Sequence, residues 1–402
     1  MKRVGLTRRG ISRITAAIII IIIIIVAAGL VAMLRGAGEP ETVKIGFFAP
    51  LTGPASADGN AAKAGAEIAV EILNENGGVL GKNVELVVYD DALNPDQAIA
   101  VSQKMIQEDG VIAAVSGSYS STTLAASSVF EDSGVPLVVA YAVNPLITEG
   151  KKYVFRVGML AETEGRAAAY AAAKLLGLKK AAILYIDNPY GDSLASTAEE
   201  YIKKYGGEVL YKDKFQFPTQ DFSPWLSKVK NLEDTQGLDA LLIIGYYQHA
   251  VAVKQARDMG IKARIIGAEG FDSPKFIEIA GSAAEGVIIV TDFDRDSQNP
   301  MVKEFIRRYR EKTGIEPDMV AASSFDAVMV LAKAIEKAGS LDREAITNAL
   351  LALKDYNGVA GKILYFTPGH NAVKELTLQI IKNGKFGRYA IITEEDIIKP
   401  TK

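Results

Sequence analysis

The sequence predicts an α/β protein with two successive doubly wound lobes, preceded by one transmembrane helix. From residue 43 onward, short apolar strands alternate with amphipathic helices, a pattern typical of parallel sheets covered by helices on both faces. The alternation restarts after residues 153–157 (YVFRV), and neither run of elements is long enough to use the whole chain. The chain has 402 residues, which is enough for two domains of ordinary size and a short appendage.

The first element is an apolar run at residues 14–34, which contains eight consecutive isoleucines. Residues 1–13 before it carry five cations and are expected to stay in the cytoplasm, so the apolar run would cross the bilayer as a helix. Two other interpretations remain open. The run could be a cleaved secretory signal, or RRGISRITAAIII could be a signal cut after Gly10, since it resembles the class III signals of archaeal pilins. All three place the rest of the chain outside the cytoplasm, after a linker at residues 35–42.

The elements of the first block follow the linker in a regular order. The predicted strands are VKIGFFAPL, VELVVYD, VIAAVSG and VPLVVAYA, and the predicted helices cover residues 60–76, 94–108 and 121–132. The second block repeats this order with strands AAILYID, EVLYKDKF, ALLIIGY, ARIIGAE and GVIIVTDF, and with helices at residues 163–176, 192–205, 222–229 and 248–259.

The last part of the chain contains more helices than strands at first and only strands at its end. The predicted helices are MVKEFIRRYREKTG, residues 323–338 and residues 343–353, and the predicted strands are KILYFT, ELTLQIIKNG and YAIITE. The segment after about Thr291 most economically completes the first lobe, with the last strands returning to the second. Periodicity alone does not show that exchange.

Composition excludes several classes of function. The net charge of −3 gives no reason to expect nucleic acid as a partner. The chain has no cysteine, which excludes disulfides, a thiol nucleophile and a lipid-modified cysteine anchor. Two histidines are too few for most metal sites, so we expect no metal and no cofactor.

Enzyme motifs are incomplete wherever they begin. NGGVLGKN lacks the first glycine and the final Ser or Thr of a phosphate loop, and GSYSS lacks the second glycine of a nucleophile elbow. DDALNPD is better explained as a solvated helix cap than as a metal site. We therefore expect a protein that binds a ligand without converting it.

The candidate site lies in loops that follow apolar strands, because open α/β sheets bind ligands at the carboxyl ends of their strands. Residues 117–123 (GSYSSTT) gather hydroxyl groups and free backbone N–H groups at the start of a helix, which suits an anion, although an ordinary helix cap would look the same. Glu269 follows the strand ARIIGA between two glycines and is expected to face a cleft. Tyr246 and Tyr247 follow LLIIG and are either core or rim aromatics, or a cover for the ligand.

Taken together, these segments resemble the branched-chain-amino-acid-binding proteins of ABC importers. The matching segments, in order, are VKIGFFAPLTGPASADG, NGGVLGKNVELVVYDDALNPDQA, VSGSYSS, GVPLVVAYAVNP, YVFRV, YIDNPYGDS, GYY, IIGAEGF and AGSAAEGV. The resemblance covers the chain from Val43 to the C-terminal strands. It implies the type I periplasmic-binding fold, in which two Rossmann-like lobes joined by three crossover strands close on a ligand. The implied lobes are residues 43–160 with 292–372, and residues 161–291 with 373–402.

The resemblance also implies roles for individual residues. Ser121, with Thr122 beside it and backbone N–H groups near Tyr141 and Val143, would hold the ligand α-carboxylate. Glu269 would receive the α-ammonium. The tyrosines that press on the ligand from the second lobe would be Tyr190 and either Tyr246 or Tyr247.

Some positions depart from the family pattern. Val143 stands where the family commonly has Thr, and Asp58 where it often has an aromatic residue; Ala161 stands where a polar residue is usual. Tyr119 and Tyr141 add aromatic surface to the first lobe. The ligand could therefore be a branched-chain amino acid, another small carboxylate, an amide or an aromatic acid.

The resemblance implies a solute-binding protein on the outer face of the membrane that delivers its ligand to an ABC permease. The alternative is a ligand-sensing module of a receptor, for an amide or a small carboxylate. That alternative is weakened because only about a dozen residues precede the predicted membrane helix.

Overall fold

The computed structural model describes residues 42–401. Within that range, no helix combines the length and the apolar character needed to cross a membrane. The predicted cytoplasmic segment, the predicted transmembrane helix and all but the last residue of the predicted linker lie outside the described residues.

The described chain contains strands and helices in alternation. The strands are β1 Val43–Ala49, β2 Val84–Asp90, β3 Ala113–Ser116, β4 Leu137–Val139, β5 Val154–Arg156, β6 Lys180–Ile186, β7 Glu208–Phe215, β8 Ala240–Ile244, β9 Arg264–Gly267, β10 Ile288–Thr291, β11 Lys354–Asn357, β12 Lys362–Phe366, β13 Ala372–Lys374, β14 Leu376–Lys382 and β15 Lys385–Ile392. The α-helices are α1 Ser56–Glu75, α2 Pro95–Lys104, α3 Ser120–Asp132, α4 Ala161–Tyr170, α5 Pro189–Lys204, α6 Ser223–Gln236, α7 Ala250–Asp258, α8 Pro274–Ala280, α9 Pro300–Thr313, α10 Met319–Ala338, α11 Arg343–Leu351 and α12 Glu395–Ile398.

The first lobe is built on a parallel sheet with strand order β2-β1-β3-β4-β5. Its central strands are buried along their whole length, as expected when helices cover both faces. Helix α10 comes from the last part of the chain and packs against α1 on this lobe. The two helices approach so closely that a Cβ atom at Gly65 would lie 2.0 Å from the carbonyl oxygen of Ala321. Only glycine fits at that crossing.

The second lobe is built on a seven-stranded sheet with order β15-β14-β10-β9-β8-β6-β7. Strands β6, β7, β8, β9 and β10 are parallel. Strand β14 runs antiparallel to β10, and β15 runs antiparallel to β14. The C-terminal strands therefore return to the second sheet. Strands β11, β12 and β13 form a separate antiparallel sheet. In the sequence they come after the helices α9, α10 and α11 and before β14.

The chain passes between the two sheets three times, after β5, after β10 and after β13. A buried ion pair joins two of these crossings, with Lys374 Nζ at 2.7 Å from Asp292 Oδ2. Arg156 joins the first crossing to the third, because its backbone N–H donates to the His370 carbonyl and its guanidinium donates to Asn371 Oδ1 at 2.6 Å. Polar groups thus tie the crossings to one another inside the protein.

Short elements were the hardest to predict. The seven-residue helix α8 and the strands β11 and β13 have no periodic signal long enough to detect. Two predicted helices end in single turns of π-helix, at Met105–Asp109 and Ala171–Leu175. Helices α3 and α10 begin one and four residues earlier than the predicted starts at residues 121 and 323, and both shifts affect the site.

Candidate functional site

A cavity lies between the two lobes, at the carboxyl ends of their parallel strands. The cavity has a volume of about 20 Å³, counted as the space that the centre of a water molecule can occupy. The residues that line it are Asp58, Tyr119, Ser120, Tyr141, Ala142, Tyr190, Tyr246, Glu269, Gly270, Met319 and Val320. Its position agrees with the rule for open α/β sheets.

One end of the cavity is formed by the first turn of α3. The N-cap residue Tyr119 has an extended backbone, and no side chain caps the helix. The N–H groups of the first turn are therefore left without side-chain acceptors, at the positive end of the helix dipole. Ser120 is buried and adds a hydroxyl group, whose oxygen accepts weakly from the Asn144 N–H at 3.4 Å. This end of the cavity suits an anion such as a carboxylate.

The structure places Ser120 at the cavity, whereas the sequence pointed to Ser121. Because α3 begins one residue earlier than predicted, Ser121 is turned by about 100° from Ser120 and does not line the cavity. Thr122 is buried beneath the turn, where its hydroxyl lies 2.6 Å from that of Ser118 and donates to the Tyr119 carbonyl.

From the second lobe, Glu269, which follows β9, lines the same cavity. This carboxyl group is buried, and its Oε2 atom has no hydrogen-bond partner in the described part of the chain. The Glu269 N–H donates to Glu164 Oε1 at 2.6 Å, so a second buried carboxyl group lies beside it. Burial, and then the neighbouring Glu164, raise the pKa of Glu269 well above its usual value. Burial raises the pKa of Glu164 to about 8. An ammonium group would satisfy both the free oxygen and the charge.

Aromatic rings form a wall that spans both lobes. Tyr119 from the first lobe stacks on Tyr246 from the second, with 4.2 Å between ring centroids and 14° between planes. Tyr190 stacks on the other side of Tyr246 at 5.3 Å. Tyr141 meets the edge of Tyr119 at 6.3 Å. The wall is apolar over most of its area, so it suits an aliphatic or aromatic group.

Asp58 lies in the first turn of α1 and faces the same cavity. The Tyr119 hydroxyl donates to Asp58 Oδ2 at 2.5 Å. Burial raises the pKa of Asp58 to about 7, and this hydrogen bond only partly offsets the effect. A carboxyl group therefore faces the cavity at the position where the resemblance implied an aromatic ring.

Hydrogen bonds hold the two lobes together at the rim of the cleft. The Asn144 side-chain amide donates to the Pro189 carbonyl at 2.8 Å and to Ser193 Oγ at 3.1 Å. On the other side, the Gln248 amide donates to the Pro54 carbonyl at 2.8 Å, and the Tyr247 hydroxyl donates to the same oxygen at 3.3 Å. The structure is thus a closed form.

Six of the ten residues that the sequence pointed to line the cavity: Asp58, Tyr119, Tyr141, Tyr190, Tyr246 and Glu269. Ser121, Thr122, Val143 and Tyr247 do not line it. Val143 belongs to the first lobe but is buried against the core of the second, and Tyr247 lies at the rim. Sequence reasoning missed Ser120, Met319 and Val320, and the last two were hidden because α10 was expected to start later. Among residues 42–401, no group of three or more His, Asp or Glu side chains could hold a metal ion.

Comparison with known proteins agrees with this geometry. A family model described as periplasmic binding protein matches residues 42–385. The chain belongs to this family. A leucine-, isoleucine-, valine-, threonine- and alanine-binding protein of Pseudomonas aeruginosa is 33% identical over 316 residues, which cover 78% of this chain and 83% of that protein.

Solved structures of family members are also similar. A leucine-binding protein of Thermotoga maritima has a TM-score of 0.81 and 35% identity, and the match covers 88% of this chain and 99% of that chain. A branched-chain amino acid transporter substrate-binding protein of Streptococcus pneumoniae, in complex with isoleucine, has a TM-score of 0.79 and 30% identity, covering 87% and 99% of the two chains. The resemblance to the branched-chain-amino-acid-binding family and its type I periplasmic-binding fold are thereby confirmed.

Proposed function

We propose that this protein binds a branched-chain or related amino acid between its lobes and delivers it to an ABC permease. One observation carries the proposal: the first turn of α3, which no side chain of residues 42–401 caps, and the unpartnered Glu269 Oε2 atom meet at one cavity, each from a different lobe. The first suits the α-carboxylate of an amino acid and the second its α-ammonium. The ligand would be held without any covalent change.

The proposed roles of the other site residues follow from their positions. Ser120 takes the role that the resemblance gave to Ser121, with its hydroxyl on the carboxylate. Tyr190 and Tyr246 cover the ligand from the second lobe, and Tyr119 and Tyr141 contact it from the first. Thr122, Val143 and Tyr247 would not contact the ligand. They would hold the loops that carry the contacting residues in position.

Binding would require the lobes to open. The closed cavity has room for about one or two water molecules, which is far less than an amino acid needs. We propose that residues 43–160 with 292–372 move against residues 161–291 with 373–402, bending at the three crossings. A ligand that touches both lobes would favour the closed form, which docks on the permease.

We further propose that residues 14–34 anchor the protein to the outer face of the cell membrane. The support is the sequence alone, because this segment lies outside the described residues. An anchored protein would keep its ligand close to the permease, which shares the same membrane.

A thermal-shift screen of the full-length protein, purified in detergent, tests the proposed function. We expect leucine, isoleucine or valine to raise the melting temperature with increasing concentration, because a ligand that binds only the folded state stabilises it. The bound amino acid should be recovered unchanged. If only amides or aromatic acids raise the melting temperature, the proposed ligand class is wrong.

A further inference from the structure

The cavity contains one more carboxyl group than the backbone of an amino acid requires. Glu269 and Asp58 both line it, and no Lys, Arg or His side chain of the described residues does. A zwitterionic amino acid brings a single α-ammonium, which the proposed function assigns to Glu269. Asp58 is then left facing whatever lies further along the ligand, which is its side chain.

The protein itself satisfies Asp58 only in part. Tyr119 donates to Oδ2, whereas Oδ1 has no hydrogen-bond partner in the described part of the chain. The neighbouring Tyr141 hydroxyl cannot help, because it already donates to the Gly117 carbonyl at 2.7 Å. The Tyr246 hydroxyl accepts from the Asn188 amide at 3.0 Å and lies on the opposite lobe.

Within residues 42–401, Asp58 forms no ion pair with a Lys, Arg or His side chain. The ionisable groups whose pKa the Asp58 charge raises include those of Tyr119, Tyr141, Tyr246, Tyr247, Tyr309 and Asp318. The only other carboxyl group among them, Asp318, caps α10 by accepting from the Ala321 N–H at 2.9 Å. This part of the cavity is therefore rich in acceptors and poor in donors.

We propose that Asp58 makes the site select amino acids whose side chain ends in a hydrogen-bond donor, a hydroxyl or an amine. The inference rests on the proposed function and narrows its ligand class. When the cleft closes on a purely aliphatic side chain, Asp58 Oδ1 loses water and gains nothing in return. A hydroxyl or amine at the same place restores the hydrogen bond, and sites built in this way discriminate strongly against ligands that lack the donor.

The test compares ligands of equal shape on the full-length protein by calorimetry. Threonine is compared with valine, in which a methyl replaces the hydroxyl, and 2,4-diaminobutyrate with norvaline, in which a methyl replaces the amine. We expect the wild type to bind at least one donor ligand roughly tenfold or more tightly than its aliphatic partner. The first pair reports a hydroxyl ligand and the second an amine ligand.

Three variants separate ligand recognition from support of the Tyr119 ring. Asp58→Leu should abolish the preference for the donor, and Asp58→Asn, which keeps an acceptor for Tyr119, should reduce it while preserving the fold. Tyr119→Phe removes the internal hydrogen bond but leaves the carboxyl group, so the preference should persist.

Two outcomes would overturn the inference. If valine and norvaline bind at least as tightly as their partners, and Asp58→Leu leaves the ratios unchanged, Asp58 only holds Tyr119, and the proposed function still stands. If none of the four amino acids binds, nor leucine or isoleucine, the proposed function fails together with this inference.

Discussion

Replacing Glu269 by glutamine should change ligand affinity and protein stability in opposite directions. The substitution keeps the shape of the side chain and removes its ability to ionise. Without ligand, Glu269 is buried beside Glu164 with one oxygen unpartnered, so its carboxyl group lowers the free energy of unfolding. With ligand, the same group would receive the α-ammonium.

The stability effect should grow with pH. Burial raises the pKa of Glu269 well above its usual value of 4.5 in the folded protein, so the folded state binds the proton more tightly than the unfolded state. Stability is therefore fully present below pH 4.5 and is lost as the pH rises towards the folded-state pKa. The loss approaches about 1.4 kcal/mol for each pH unit between the unfolded-state and the folded-state pKa. Glu269→Gln should recover this amount.

The affinity effect should be a loss of roughly 2 to 5 kcal/mol, which corresponds to a Kd about 30- to 5000-fold weaker. The lower end is expected near neutral pH, because the wild type must first release a proton from Glu269 in order to pair with the ammonium. Calorimetry in two buffers of different ionisation enthalpy measures that proton, and urea unfolding at pH 5, 6, 7 and 8 measures stability.

Glu164→Gln is the matched control, because Glu164 is equally buried but does not line the cavity. It should also stabilise the protein at high pH, with a smaller loss of affinity. An unchanged Kd for Glu269→Gln would show that the ammonium binds elsewhere. A variant no more stable than the wild type at pH 7 would refute the argument from burial.

Three further perturbations address closure, the crossings and the first-lobe carboxyl group. Asn144→Asp removes two hydrogen bonds between the lobes, so the closed form should be less stable relative to the open form by about 1 to 3 kcal/mol. Small-angle scattering without ligand should then show a larger radius of gyration. An unaltered radius would mean that these bonds do not hold the cleft closed. Lys374→Met leaves Asp292 buried and unpaired, so the free energy of unfolding in urea should fall by about 3 to 5 kcal/mol. An added Asp292→Asn should largely restore it. If the double variant is no more stable than Lys374→Met, the pairing argument is wrong. Asp58→Asn should reduce the fall in the free energy of unfolding between pH 4 and pH 7. The pKa of Asp58 is raised to about 7 in the folded state, so its contribution to that free energy falls by about 1.4 kcal/mol per pH unit across the range. Equal pH dependence of unfolding in the wild type and the variant would contradict this prediction.

The architecture was predictable because its signals are periodic and repeated. Strands such as β8, buried along all five residues, read as apolar runs that only a covered sheet accommodates. The pairing of β14 with β10 carries no such signal, since an apolar strand fits either sheet equally well. The resemblance supplied that connection, and the antiparallel register of Leu378 with Val290 shows it.

The site was predictable at strand ends and less so at helix starts. Glu269 stands between two glycines directly after a strand, where a carboxyl group has few other roles. Ser120 and Ser121 are chemically identical, and the choice between them depends on where α3 begins, which local sequence does not determine to within one residue. Met319 and Val320 were missed for the same reason at the start of α10.

The exchange of segments between the lobes has a consequence for synthesis. Strand β10 pairs with residues 376–382, and α1 packs against α10 at residues 319–338. Neither lobe can therefore complete its core until the ribosome has made more than the first three hundred residues. Contacts between such distant segments also form slowly. Apolar surface on β10 and α1 therefore has no native partner for most of translation.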